Sequence, residues 1–506
     1  MKLFTRVFLL FCLIVVILLL SMILYRACRY LELPQETALR AIPDNAALTA
    51  KGVRTKDMLD FYQKQQNFFP VLFSSSSVEQ INLLFNHVLL KEQWKKLAEN
   101  SSLYISLHVD ENEELLFVVE TTKRYNKLLS DMFRVVCAAY PSKNHIYKDN
   151  TVYQLQIEDK SLFLNVHNGL LLLTFSEKLM RLAINRLETK EDTLSAIPDF
   201  SLNRRNEKAK VLLAIQYRYF IPCLKEKLRK AGAKTALPQW LSPCVWSVYD
   251  METKNRDILL SGYTGITVSV PTAQLLLHQK HQVDFLKILP VDANNILSIK
   301  ANTAQDWKKI RSAVRTSEDF LELMYPLQML SFEIREKDTE AFHYLVIHSA
   351  NSSEASFHLF NSLVSSFSDN HYLLDTLHSG SLLIGHIHLP DFVFAETGMA
   401  YLTQPEYYTI IDDYIVFADT KEGILNYVAK IRSNKTFQNA TLRQALRAYF
   451  PNRANLFYYY DFSLTQSEPT NNLSRKRYEE NIQTIQMQMY PASDSILLTK
   501  IVFRMR

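Results

Sequence analysis

The stretch SLFLNVHNGLLLLTFSEKLMRLAINRLE, residues 161–188, carries a hairpin signal followed directly by a helix signal. Two apolar segments flank Asn168-Gly169, a dipeptide that predicts a two-residue hairpin turn because both residues tolerate a positive φ. Ser176 stands at the expected N-cap of the next element. Apolar residues then recur at helical spacing, at Met180, Ala183, Ile184 and Leu187. The stretch therefore predicts a hairpin and a helix that buries one face against the sheet.

The preceding residues alternate polar and apolar side chains, as half-buried strands do. SLYISLHV (102–109) and ELLFVVE (114–120) flank an acidic turn, and TVYQLQIED (151–159) follows them. Strands that are joined by short turns pair antiparallel. We therefore predict an α+β fold of mainly antiparallel sheet with packed helices.

The same pattern returns 244 residues later in the chain. YYTII (407–411), the turn Asp412-Asp413 and YIVFA (414–418) predict a second hairpin, and Thr420 is the predicted cap of a second helix. The apolar positions of that helix are Ile424, Tyr427, Val428 and Ile431. Residue identity between the two stretches is essentially nil, so the correspondence is one of pattern.

Three further correspondences occur at nearly the same offset. Pro43 and Ala46 match Pro290 and Ala293, AKVLLAI from Ala209 matches ANLFYYY from Ala454, and Ile258-Leu259-Leu260 matches Ile496-Leu497-Leu498. We interpret these matches as a tandem duplication, with repeats at 31–270 and 286–506 and a linker at 271–285. The alternative is that generic sheet-and-helix patterning aligns by chance.

The N-terminus carries a different signal, because residues 7–25 are nineteen positions without a formal charge. A helix of that length covers about 28 Å, close to the ~30 Å hydrocarbon core of a bilayer. A cleaved signal peptide would have a shorter apolar core and small residues at the cleavage site. The sequence predicts that residues 1–30 are a membrane anchor. Charges on its two sides are nearly balanced, and a short tail most simply stays in the cytoplasm, which places the body outside.

Composition excludes several classes of function. Nine glycines in 506 residues leave no glycine-rich loop to cradle a phosphate, so we predict no nucleotide cofactor. A net charge of +5 without a dense basic tract gives no reason to expect nucleic acid as a partner. Five cysteines do not make a disulfide scaffold. Cys223 and Cys244 are compatible both with a disulfide and with buried thiols.

Histidines provide the candidates for metal chemistry, since seven of the thirteen lie between His343 and His388. His386 and His388 alternate on a predicted strand, so both rings project from one face. His378 or Asp391 is a candidate third ligand of a zinc-like site. The competing interpretation is that a His-x-His pair simply lies on an exposed sheet face.

Basic runs interrupt both predicted repeats. The candidate residues for a surface that faces anionic headgroups or an acidic partner are Lys225, Lys227, Arg229, Lys230, Arg475, Lys476 and Arg477. The alternative is that they belong to solvated helix faces.

The junction between the two predicted repeats resembles that of a family of single-anchor envelope proteins of Bacteroidota with a domain of unknown function. The residues that carry the resemblance are Trp246, Asp250, Leu259, Leu260, Gly262, Tyr263, Leu289, Pro290 and Ala293, and the opening IPDNAALTAK (42–51) is similar as well. The resemblance implies an inner-membrane anchor and a periplasmic body. It brings no catalytic residues with it.

These observations favour a membrane-tethered envelope protein that binds a partner protein or an envelope lipid and has no catalytic role. One alternative is a metal-dependent hydrolase that uses the His343–His388 region. Another is a carrier that holds an apolar ligand or lipid between the sheet and the helices.

Overall fold

The computed structural model describes most of the chain. The described residues are 18, 20–26, 30–34, 36–110, 112–189, 209–230, 237–277, 285–300, 326–335, 341–349, 374–379, 382–387, 406–438, 453–465 and 481–506.

Within these ranges the chain forms twenty strands, nineteen of which pair antiparallel with a neighbour. They are β1 Ala46–Gly52, β2 Ser101–Val109, β3 Glu113–Thr121, β4 Ser142–Tyr147, β5 Asn150–Ile157, β6 Lys160–His167, β7 Leu170–Thr174, β8 Val211–Gln216, β9 Cys244–Lys254, β10 Asp257–Ile266, β11 Ala293–Lys300, β12 Pro326–Ile334, β13 Phe342–Ser349, β14 Leu374–Ser379, β15 Leu382–Ile387, β16 Tyr407–Ile411, β17 Tyr414–Ala418, β18 Leu456–Asp461, β19 Ile482–Ser493 and β20 Ile496–Met505.

Helices accompany the strands in the same ranges. They are α1 Ala38–Ala41, α2 Thr55–Lys64, α3 Phe69–Leu72, α4 Ser75–Leu84, α5 Lys95–Glu99, α6 Asn126–Ala139, α7 Glu177–Glu188, α8 Tyr217–Lys230, α9 Leu237–Trp240, α10 Pro271–Leu277 and α11 Lys421–Arg432. The predicted α+β class with a mainly antiparallel sheet and packed helices is confirmed.

The described part of the chain divides into two compact units. The first comprises residues up to Gln66, the range Phe73–Ile197 and the short segment Lys210–Leu212. The second comprises Asn67–Leu72 and the chain from Leu213 onward. Strands β9 and β10 therefore belong to the second unit, whereas the predicted repeat boundaries at 270 and 286 stay a prediction.

In the first unit the strands run in the order β1-β2-β3-β7-β6-β5-β4. Helix α7 packs against β3, β6 and β7 through its apolar face, and α1 packs against α7. The five residues of β7 are all buried, since this strand lies in the middle of the order and is covered by the helix.

The second unit contains the same order among its own strands. The sequence β11-β12-β13-β17-β16-β15-β14 repeats the first arrangement strand for strand. Beyond β11 the sheet continues through β18, β19, β20, β10 and β9. Helix α11 packs against β16 and β17, in the place that α7 takes in the first unit.

The agreement extends to register. Phe163 lies opposite Thr174 in the first hairpin, and Tyr407 lies opposite Ala418 in the second, at a constant offset of 244 residues. Both turns contain residues with positive φ, with 45° at Asn168 and 49° at Asp412. The predicted hairpins are confirmed.

The helices that follow these hairpins begin and end at the same offset. The Ser176 hydroxyl accepts a hydrogen bond from the Leu179 amide at 3.2 Å, and the Thr420 hydroxyl accepts one from the Gly423 amide at 3.0 Å. Both caps satisfy an amide that the helix itself leaves without a partner. The predicted caps and helices are confirmed.

The predicted membrane anchor lies largely outside the described residues, which begin at Leu18 and include the helical range 20–26. No helix among the described residues has both the length and the apolar character that a bilayer span requires. Large apolar side chains in the described part of this segment are exposed: Leu18, Leu20, Met22, Ile23, Leu24 and Tyr25.

Candidate functional site

A pocket of about 360 Å³ opens where three strands of the first unit meet at one edge of the sheet. Because β1, β2 and β3 are antiparallel neighbours, the end of β1, the beginning of β2 and the end of β3 lie side by side. We call this cavity the strand-end pocket. Its lining includes Glu32, Pro34, Arg54, Glu99, Ser102, Glu120, Thr122 and Arg124.

One wall of the strand-end pocket is the segment that leaves the predicted anchor. Pro34 forms a β-bridge with Thr122, and the Lys123 amide donates to the Leu33 carbonyl at 3.1 Å. The Lys123 ammonium lies 3.3 Å from the centre of the Tyr30 ring and lowers the pKa of that phenol through a hydrogen bond. The segment is therefore docked on the end of β3.

Glu120 stands on the sheet side of the pocket. Its carboxylate accepts a hydrogen bond of 2.6 Å from the Ala38 amide, the first amide of α1. Burial raises the pKa of Glu120, while this hydrogen bond and the Lys51 charge act in the opposite direction. The carboxylate thereby joins the sheet edge to the segment behind the predicted anchor.

The remaining walls are held by hydrogen bonds. The Arg54 guanidinium binds both carboxylate oxygens of Asp57, at 2.9 and 2.8 Å, and the Ser102 hydroxyl donates to the Val53 carbonyl at 2.8 Å. The Thr121 hydroxyl donates to the Gly169 carbonyl at 2.9 Å. Hydrogen bonds thus fix the orientation of several polar groups that line the pocket.

The predicted zinc ligands are only partly described. His388 and Asp391 lie outside the described residues, as does the side chain of His378. The ring of His386 stacks on Tyr407 at 4.5 Å, and its Nε2 atom lies 3.9 Å from a Glu406 carboxylate oxygen. No three His, Cys, Asp or Glu side chains of the described residues are grouped to hold a metal ion.

His343 has a related arrangement. Its Nδ1 atom lies 3.1 Å from Asp419 Oδ2, and its Nε2 atom lies 3.9 Å from Glu333 Oε2. The two carboxylates contact opposite nitrogens of the ring. The ring therefore lies between them, and this geometry does not bring three ligand atoms to a common point.

The candidate basic residues differ in their surroundings. Lys225 is exposed on α8, whereas Lys227 is half-buried and donates to the Leu72 carbonyl. The side chains of Arg229 and Lys230, and all of 475–477, lie outside the described residues. A partner surface at these positions stays a prediction.

Cys223 and Cys244 are both buried and carry thiols rather than a disulfide. Burial raises the pKa of the Cys244 thiol far above its usual value. Of the two alternatives that the sequence left open, the structure has buried thiols.

No protein-family model matches the chain, and no curated protein matches it. Among solved structures, crystal form III of TP0453 is 11% identical, with a TM-score of 0.25, and covers 49% of this chain and 89% of that one. Crystal form I gives 11% identity and a TM-score of 0.23, and covers 49% of this chain and 88% of that one. These scores are too low to carry an argument about the fold or function of this chain.

No local sequence motif points to the strand-end pocket. Its charged residues come from four separate segments, near 32, 54, 99 and 120–124. None of these segments contains a motif. The one feature of the sequence that indicates the pocket is that charged residues follow the predicted ends of β1 and β3.

Proposed function

We propose that this chain is a membrane-tethered binding protein of the bacterial envelope with no catalytic role. Its N-terminal helix is the tether, and both units lie in the periplasm. The observation that carries this proposal is the docked segment 30–34. It fixes the base of the apolar segment to the end of β3 through the Pro34–Thr122 bridge and the Lys123–Leu33 hydrogen bond.

The exposed apolar side chains before this segment support the tether. Leu20, Ile23, Leu24 and Tyr25 each expose 60–66% of their surface, and they continue the uncharged run that begins at residue 7. A contiguous exposed apolar surface on a folded protein typically marks a contact with a membrane or a partner. A bilayer is the partner whose thickness matches the length of this run.

A tandem duplication is the second element of the proposal. The repeated strand order and the constant register support it. An ion pair also recurs, because Arg186 contacts Asp44 at 2.6 Å and Lys430 contacts Asp292 at 2.5 Å. The two cations are 244 residues apart, and each carboxylate precedes the first strand of its set. An experimental structure in which the two hairpins differ in register by one residue would contradict the duplication.

The tether is tested by membrane extraction of the full chain. Replacing Ile14 and Val16 with Arg costs about 2.5–3.5 kcal/mol for each charge at the centre of a spanning helix. We expect the wild type to resist alkaline extraction and the double variant to be released. Ile14→Leu with Val16→Leu is the matched control and stays in the membrane fraction. Release of the wild type would refute the tether.

Sidedness is tested on the same cells. A protease added to spheroplasts digests the body if it is periplasmic and spares it if it is cytoplasmic. Digestion only after lysis would refute the periplasmic assignment and leave the tether intact.

A further inference from the structure

The strand-end pocket is lined by two exposed side chains of opposite charge, Glu32 and Arg124. Neither Arg124 nor Glu32 forms an ion pair among the described residues, although both line the cavity. The Arg124 guanidinium lies against the Tyr125 ring, with 5.8 Å between its central carbon and the ring centre. A ligand with one cationic and one anionic group would complement this pair.

The other charged groups of the pocket are engaged. Arg54 is bound through two contacts by Asp57, Glu99 contacts Lys56 at 3.4 Å, and Glu120 accepts the Ala38 amide. The carboxylates nevertheless outnumber the guanidinium groups of the lining by three to two. Carboxylates accept hydrogen bonds, so the pocket favours a ligand whose cationic group donates them.

An unsatisfied hydroxyl adds a second, independent observation. The Thr122 hydroxyl is buried and has no hydrogen-bond partner among the described residues. A buried hydroxyl without a partner costs free energy, which a ligand oxygen or ammonium group recovers if the Thr122 side chain turns toward the cavity. Thr122 also forms the bridge to Pro34, so the hydroxyl lies at the docked segment.

The location restricts the source of the ligand. Glu32 is seven residues beyond Tyr25, the last residue of the uncharged run. Seven residues span about 10 Å in a helix and about 25 Å when extended. If the run crosses the bilayer, the pocket opens within reach of the headgroup region.

We propose that the strand-end pocket binds a zwitterionic phosphate ester with a primary ammonium group, as in the headgroup of phosphatidylethanolamine. This inference rests on the proposed tether. Arg124 would bind the phosphate, because a guanidinium forms charge-assisted hydrogen bonds with phosphate oxygens. Glu32 would accept from the ammonium group. A quaternary ammonium is disfavoured, since it donates no hydrogen bond and Tyr125 is the single aromatic residue of the described lining.

Titration calorimetry of the detergent-solubilised full chain tests the proposal. The probes are dihexanoyl lipids with ethanolamine, choline and glycerol headgroups, together with free O-phosphoethanolamine. We expect the ethanolamine lipid to bind at least tenfold more tightly than the other two lipids. Equal affinity of O-phosphoethanolamine would identify the free ester as sufficient, whereas weaker binding would identify the lipid as the source. Absence of ethanolamine selectivity would overturn the proposal.

Two variants separate the roles of the opposite charges. Arg124→Gln should weaken the ethanolamine and glycerol lipids together, because both contain the phosphate. Glu32→Gln should remove the preference for ethanolamine and leave the glycerol lipid unchanged. Arg134→Gln and Glu92→Gln, at exposed positions away from the pocket, are the matched controls and should bind like the wild type.

Membrane extraction of the same variants keeps the two proposals apart. Arg124→Gln and Glu32→Gln should remain in the membrane fraction. Unchanged lipid binding in tethered variants would overturn the pocket assignment alone. Release of the wild type from the membrane would refute the tether, whatever the calorimetry gives.

Discussion

Helices α7 and α11 pack at equivalent positions on the strands of their units, but they fill the buried space with different side chains. Ala183 on α7 is fully buried, and α1, with buried Ala38 and Ala41, packs against that helix. The equivalent residue of α11 is Tyr427, which is 1% exposed. Its hydroxyl donates to the Ile288 carbonyl at 2.7 Å. Small residues allow close approach in the first unit, whereas one large residue fills the space in the second.

Strand order and register therefore stay constant although the buried side chains at equivalent helix positions differ greatly in volume. Tyr427 packs its ring near Tyr344 and Phe332, with centre-to-centre distances of 5.6 and 6.2 Å. The first unit has an alanine at the equivalent position, on a helix against which the short helix α1 packs. Protein interiors are close-packed, so we expect the first unit not to tolerate tyrosine at position 183 and the second unit not to tolerate alanine at position 427.

The largest expected effect is that of Tyr427→Ala, which leaves a cavity and an unpaired carbonyl. We expect a loss of about 4 kcal/mol of local stability. Hydrogen–deuterium exchange should accelerate in peptides from 421–432 and stay unchanged in 177–188, the internal control. Tyr427→Phe keeps the ring and should cost only about 1–2 kcal/mol. Equal exchange in wild type and Tyr427→Ala would contradict the comparison.

The reverse exchange, Ala183→Tyr, should cost about 3 kcal/mol by overpacking against α1. Here exchange should accelerate in 177–188 while 421–432 serves as the control. Ala183→Gly separates overpacking from helix propensity, because it costs about 1 kcal/mol without added volume. A tyrosine variant no less stable than the glycine variant would show that the first unit has room for the larger side chain.

A second difference between the two units concerns pH. His108 lies opposite Ala46, where the second unit pairs Ile334 with Ala293. Burial lowers the pKa of His108 to about 3, and the ring bonds to Ser106 and Asn45 at 2.9 and 2.8 Å. The unfolded chain binds the proton near pH 6.5, so the stability contributed by the neutral ring is complete above 6.5 and falls as pH drops toward 3.

We therefore expect β2 to lose about 2 kcal/mol of stability between pH 7 and pH 5, while β12 changes little. Hydrogen exchange of 101–109 and 326–334, corrected for the intrinsic rate at each pH, measures both strands together. His108→Leu should abolish the pH dependence. A slope that survives in this variant would assign the effect to another group.

The smallest effect belongs to the recurring ion pairs. Double-mutant cycles on Arg186 with Asp44, and on Lys430 with Asp292, should each give a coupling below about 1 kcal/mol. The cations are largely covered and the carboxylates partly exposed, so both couplings should fall when salt is raised from about 0.05 to about 1 M. If only one of the two pairs shows coupling, the ion pairs recur in position but do not contribute equally to stability.

Much of the two hairpin-and-helix stretches could be predicted from sequence. Asn168-Gly169, the caps Ser176 and Thr420, and the apolar spacing in each helix act over fewer than about twenty residues, so local patterns contain them. The strand-end pocket could not be predicted in this way. Glu32, Arg54, Glu120 and Arg124 meet only because β1, β2 and β3 pair at one edge.

Local sequence accounts for the alternating strands, the helix caps and the constant 244-residue offset, because periodicity and turn chemistry are local properties of the chain. It also determined the long uncharged run at the N-terminus. Long-range packing sets the strand order that the two seven-strand sets share, the docking of Pro34 at the end of β3 and the place of Tyr427 in the core of the second unit. Those features depend on which distant segments contact each other. Close packing between helices and strands determines these contacts, and no local pattern contains them.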